Sequence, residues 1–125
     1  MPSLPETVKT AWENRADHYI FSTVDEKGLP NAIYVTCVKL YDDKIVIADN
    51  KFQKTRQNIL NGSKGSLLFI TKEKKSFQVK GTLEYHNSGK LYDEMKKGWL
   101  AAKYPGNAAT VLYAEEVYSG AEKLL

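Results

Sequence analysis

With 125 residues, 42% hydrophobic and 26% charged, the chain has the size and balance of one globular domain, too apolar for disorder and too short for two full cores. Apolar runs such as residues 67–70 fall far below the roughly 20 residues of a membrane helix. The excess of 18 Lys+Arg over 15 Asp+Glu, a net +3, is too small to indicate a nucleic-acid partner. A single cysteine, Cys37, excludes an internal disulfide and any zinc site built on paired cysteines. No basic flank with an apolar stretch opens the sequence, so a cytoplasmic setting without a membrane span is expected.

Ser3 followed by Pro5 and Glu6 has the form of a capping box, and Leu4, Val8 and Trp12 recur at helical spacing; a short helix to about Ala16 is predicted. Residues 19–24 are aromatic and β-branched and predict a strand, which stops at the polar turn 25–30 with Gly28 and Pro30. A second strand is expected over 31–41 and, past Asp42-Asp43, a third over 44–49, the three forming an antiparallel meander. From Lys54 the alternation gives way to helix formers, and Asn61-Gly62 ends a helix of about two turns. Strands return over 65–71 and, beyond the charged turn 72–75, over 76–85. In the latter Phe77, Val79, Gly81, Leu83 and Tyr85 share one buried face. A glycine on that face marks a bulge, a barrel corner or a close backbone approach. Ser88 is placed to cap a last helix running from Gly89 to about Tyr104. Residues 108–118 close the chain as an apolar strand with a frayed tail.

These elements describe one mainly β, α+β domain over residues 1–125, with six or seven short antiparallel strands and about three short helices. So few helices leave a flat sheet uncovered, which favours closure into a small barrel filled by its own side chains, with any larger ligand held outside. Eight Tyr and two Trp exceed what such a core needs. The surplus fits an interface or a planar ligand as well as it fits ordinary packing with solvent-facing tyrosines.

The most informative stretch is residues 48–58, where a strand end leads through a loop into a helix at Lys54 or Thr55. Free N–H groups, a lysine ammonium and a threonine hydroxyl together suit a phosphate, and Arg56 offers a further fork of donors. A solvated helix start with Thr55 as its cap is the plainer alternative. His18 and His86 stand in no triad or metal-ligand spacing, so neither is assigned a role. No catalytic residue and no metal ligand is named. Cys37 reads as packing on an apolar strand or as a thiol near a bound cofactor.

Taken together, these residues resemble the flavin-binding split-barrel proteins related to pyridoxamine 5'-phosphate oxidase, especially the short FMN-binding members. The resemblance runs from Trp12 to Val117. It rests on the initial helix, the Gly28-Leu29-Pro30-Asn31-Ala32 turn into a long strand, the Lys54-Thr55-x-x-Asn58-Ile59 helix start, the Gly81 strand, and the last helix and strand. It implies a split-barrel homodimer with FMN in a groove between subunits and its phosphate on Lys54 and Thr55. The ring is then expected along Ile33, Tyr34, Val35 and Thr36 and along Ala48, Asp49 and Asn50, largely through backbone groups, with Gln53 also near the cofactor. Trp99 and residues 104–107 are expected to close the groove from the other subunit.

The activity implied is that of an FMN-dependent oxidoreductase or a small electron-transfer protein. A flavin carrier or sensor without turnover and a small nucleic-acid-binding barrel are the alternatives. Larger oxidases of this kind hold the substrate phosphate with an arginine-rich C-terminal segment, and no arginine follows Arg56 here. Pyridoxine phosphate is therefore not the expected substrate.

Overall fold

The computed structural model describes residues 3–125; the first two residues of the opening, Met1 and Pro2, lie outside the described residues. The first helix, α1 (Glu6–Glu13), buries Val8, Ala11 and Trp12. It is shorter than predicted, and the capping box does not form: Pro5 occupies the N-cap position without a side-chain bond. The Ser3 hydroxyl instead donates to the Asp42 carboxylate at 3.0 Å, which also takes the Lys9 ammonium. A bond to a carboxylate is stronger than one to a neutral N–H, so the tether to Asp42 wins over the local cap.

Seven antiparallel strands build the sheet: β1 (Tyr19–Val24), β2 (Pro30–Val35), β3 (Val38–Leu40), β4 (Lys44–Asp49), β5 (Gly65–Ile70), β6 (Ser76–His86) and β7 (Ala108–Ser119). Their order is β2-β1-β5-β6-β7-β4-β3. The expected six or seven strands are therefore present, and the tail read as frayed folds back on β7 as the two-residue β8 (Glu122–Lys123). Helix α2 (Lys54–Leu60) follows β4, and α3 (Lys90–Glu94) follows β6.

The strand predicted over 31–41 is two strands, and the expected meander is corrected accordingly. β2 pairs with β1, where Ile20 faces Tyr34, whereas β3 pairs with β4, where Lys39 faces Val46. The alternation itself slips at this point. Ile33 and Val35 pack on the interior, and so do Val38 and Leu40, which puts two residues between Val35 and Val38 instead of the one that alternation requires. A one-residue slip exchanges the faces of a strand, so the pairing must change partner at Thr36-Cys37. β2 and β3 thus end opposite edges of the sheet while being consecutive in the chain, and the barrel is split between them.

Phe21, Ile45, Ile47, Leu67, Phe69, Phe77, Val79, Leu112 and Val117 fill the interior, plugged by Val8 and Trp12 of α1. No room is left there for a large ligand, as the sequence leads one to expect. A second, smaller cluster lies outside the barrel, where Met95 and Leu100 cover Val46, Ala48, Ala109 and Val111.

Gly81 joins two of the predicted roles. The β6–β7 register shifts between Lys80 and Gly81, and a Cβ on Gly81 would stand 1.7 Å from the Tyr113 carbonyl oxygen. The last helix is shorter than predicted: after α3 the chain makes a π-helical turn, Met95–Trp99, with the Leu100 N–H bonded to the Met95 carbonyl five residues back at 3.0 Å. Ser88 does not cap it; Gly89, at φ 96°, occupies that position. Leu100 leaves the helix in extended conformation and enters the outer cluster, and this burial ends the helix before Tyr104. Among the described residues, no helix is long and apolar enough to cross a membrane.

Candidate functional site

A groove of about 660 Å³ lies outside the barrel, across the split. One side is the end of β2 and its link to β3, with Ile33, Tyr34, Val35, Thr36 and Cys37. The other is the end of β4 and the following loop, with Ala48, Asn50, Lys51 and Phe52. Its volume is in the range of about 300–1,000 Å³ typical of small-molecule sites. The slip at Thr36-Cys37 creates the opening, because it separates two edges that hydrogen bonds would otherwise close.

The far wall is Lys103, Tyr104 and Pro105 of the same chain. The Gly106 N–H donates to Asn50 Oδ1 at 3.0 Å, Asn107 Nδ2 donates to the Asn50 carbonyl at 3.2 Å, and the Asn107 N–H donates to the Asp49 carbonyl at 2.8 Å. These bonds fasten the 105–107 loop to the end of β4. The chain's own loop thus contributes this wall.

The loop from β4 to α2 is held by a buried clamp. The Asp49 side chain is fully buried and takes Arg56 Nε at 2.8 Å, Arg56 Nη2 at 3.0 Å and the Phe52 N–H at 2.8 Å. The Tyr85 hydroxyl also donates to it. A fork of two guanidinium N–H groups on one carboxylate is the strongest of side-chain ion pairs in geometry. The neighbouring Asp49 holds the Arg56 guanidinium protonated even more firmly than usual, and burial raises the Tyr85 hydroxyl above the ordinary phenolic range. Of the guanidinium donors that make Arg56 a candidate phosphate fork, Nε and one Nη2 N–H bond Asp49. Asp49 likewise turns its side chain to the clamp, leaving its carbonyl to the 105–107 loop.

Helix α2 opens where this loop ends. Gln53 stands at its N-cap and makes no side-chain cap bond, so the first-turn N–H groups take no side-chain acceptor there. Thr55 is buried, and its Oγ1 accepts from Asn31 Nδ2 at 3.0 Å, which ties α2 to β2 and leaves the hydroxyl proton free to donate elsewhere. Thr55 is thus not the cap that the plainer reading supposed. Lys54 is exposed and forms no ion pair among the described residues.

The structure brings Ile33, Tyr34, Val35, Thr36, Ala48 and Asn50 together around one groove. Gln53, Lys54 and Thr55 lie directly beyond Phe52 at its end, and Asp49 lies beneath it. Trp99 is not among its walls; it lines a separate groove with Lys39 and Tyr41. Sequence reasoning missed Lys51, Phe52 and Lys103 in the groove and Tyr85 in the clamp. Tyr85 is 36 residues from Asp49, and no spacing rule connects them. Among the described residues, no group of three His, Cys, Asp or Glu is arranged to hold a metal.

The family model described as pyridoxamine 5'-phosphate oxidase matches residues 4–125 of this chain. The chain belongs to the pyridoxamine 5'-phosphate oxidase family. The chain is 31% identical over 104 residues to an uncharacterized protein of Methanocaldococcus jannaschii, a match covering 78% of this chain and 69% of that one. The crystal structure of HupZ from Group A Streptococcus superposes with a TM-score of 0.79 at 26% identity, covering 93% of each chain. An FMN-binding protein from Syntrophomonas wolfei superposes with a TM-score of 0.76 at 21% identity, over 91% of this chain and 84% of that one. The split barrel of the pyridoxamine 5'-phosphate oxidase family is thus the frame in which this groove sits.

Proposed function

We propose that the chain is an FMN-binding flavoprotein of the pyridoxamine 5'-phosphate oxidase family, acting as an oxidoreductase or electron-transfer protein, and that it works as a homodimer. One observation carries the reading: a groove outside a filled barrel runs along β2 and the end of β4 as far as Phe52, two residues before a helix start whose N-cap makes no side-chain bond. The residues fit the group. Lys54 supplies a charge, Thr55 a hydroxyl proton and the first turn of α2 its N–H groups, which suits a phosphate. Ile33, Tyr34 and Val35 offer a strand edge and a flat aromatic face to a ring, and Ala48 offers a small side chain that lets it approach the backbone. The FMN-binding neighbour from Syntrophomonas wolfei supports the same cofactor.

When bound, FMN supplies the hydride or electron chemistry. The chain's own part is to bind and to orient. The Asp49–Arg56–Tyr85 clamp fixes the loop between β4 and α2, so that the groove floor and the helix start keep one geometry. The Asn50 bonds to the 105–107 loop hold the far wall. The case for a second copy is the bare outer face of β2, β1 and β5, where Tyr34, Leu68 and Ile70 are exposed. Continuing past Tyr34, this face reaches the groove.

The test is an absorption spectrum of the purified protein with the released cofactor identified, followed by FMN titration of Lys54→Ala combined with Thr55→Ala. Bound FMN, and affinity weakened by about tenfold or more in the double variant, are expected. A protein that neither carries nor binds FMN rejects the reading; FMN binding unchanged in the variant rejects the phosphate assignment. A carrier without turnover is recognised by bound flavin that NADH and NADPH fail to reduce.

A further inference from the structure

A second groove, of about 450 Å³, lies along β3 beyond the first, lined by Lys39, Tyr41, Glu94, Lys97, Gly98 and Trp99. It shares no lining residue with the flavin groove of the same chain. β3 forms one wall and the π-helical turn the other. π-helical turns insert one residue into a helix and recur at functional sites; here the turn ends at Trp99, with Lys97 and Gly98 beside it.

The chemistry of the walls is specific. Tyr41 and Trp99 give two aromatic side chains, both packed on the outer cluster of Val46, Met95 and Val111. The Tyr41 hydroxyl donates to Glu94 Oε1 at 3.1 Å, so the one carboxylate in the groove is already engaged. Burial beside that carboxylate raises Tyr41 above the usual phenolic range and keeps it a donor there. Lys39 and Lys97 are exposed and make no ion pair among the described residues. Lys39 and Lys44 stand 5.8 and 5.3 Å from the Tyr41 ring centroid and add positive potential over it. The Trp99 indole N–H is buried and lies against the Tyr41 hydroxyl, where it offsets part of that group's rise.

We propose that this groove between β3 and the π-helical turn binds a flat aromatic anion, an arene carboxylate being its simplest form. The ring lies against Tyr41 and Trp99, and the carboxylate faces Lys39 and Lys97. Edge-strand lysines also discourage strand pairing, a role that explains Lys39 alone and leaves Lys97 unaccounted for.

The chain has only two tryptophans, so an isotope-labelled sample gives two indole N–H signals, and Trp99→Phe assigns them. Trp12 is the internal control, buried and stacked on Tyr19 with ring centroids 5.1 Å apart. Titration of the purified protein with 2-naphthoate is expected to shift the Trp99 signal and leave Trp12 still. The neutral 2-naphthamide should bind about tenfold more weakly, and Lys39→Met with Lys97→Met should weaken naphthoate by a similar factor. Gly98→Leu keeps both charges and blocks the groove. A Cβ at Gly98 meets nothing within 4 Å, so the variant is expected to fold and to lose the shift. No movement of the Trp99 signal, equal affinity for naphthoate and naphthamide, or a shift that survives Gly98→Leu would each overturn the proposal. A second copy covering the groove shows as the first of these. Flavin content, read from visible absorbance in the same samples, tests the FMN reading separately, because this groove shares no lining residue with the flavin groove.

Discussion

The outer surface of the barrel comes in two kinds, and the contrast explains where its grooves lie. Over β4 and β7, residues 45–49 and 108–112 are buried in unbroken series, because α3 and the π-helical turn lie across their outward side. Ala48 and Ala109 let that cover approach closely. Over β1, β2 and β5, burial alternates, and the outward residues form a row across the sheet in which Ile20 faces both Tyr34 and Leu68 and no helix covers them. Strands covered on both faces read as continuous apolar runs, and strands covered on one face alternate. The flavin groove opens where the two kinds meet, at the split between β2 and β3.

The hardest way to break this arrangement is at the other seam, where β6 passes from one kind of surface to the other. Gly81→Ala drives a Cβ into the Tyr113 carbonyl, and the expected cost is more than about 3 kcal/mol or outright failure to fold, read from urea denaturation. A loss under about 1 kcal/mol would mean that the bulge relaxes freely. Next comes the cover itself: Met95, fully buried between the π-helical turn and the sheet, should cost about 2–4 kcal/mol when changed to Ala. The smallest effect belongs to the bare side. Leu68→Ser is expected to change monomer stability by no more than about 0.5 kcal/mol while weakening self-association in sedimentation runs at a series of concentrations. Equal losses for Met95→Ala and Leu68→Ser would erase the distinction between the two surfaces.

Much of the fold was legible because its signals are local. Alternation in residues 76–85, the Asn61-Gly62 stop and the Gly81 position each depend on neighbours a few residues away, and each appears in the structure. The end of β2 was legible in principle too, since the spacing from Val35 to Val38 breaks the period of two. It is hidden because residues 33–38 are an unbroken run of β-branched, aromatic and apolar residues, and propensity does not report a change of partner. The last helix was overextended for a related reason: its helix formers continue past the point where burial of Leu100 pulls the chain away.

For the site, the sequence by itself determined the donor types at the start of α2 and the β-rich frame that keeps a ligand outside the core. Lys54 and Thr55 sit together because they are adjacent in the chain. Tertiary structure alone decided that Arg56 bonds Asp49, that Tyr85 completes that clamp, and that Lys103, Tyr104 and Pro105 wall one groove while Trp99 faces another. Which charges meet depends on how the sheet curls, and that follows from the summed burial of the whole interior, a quantity that no local pattern contains.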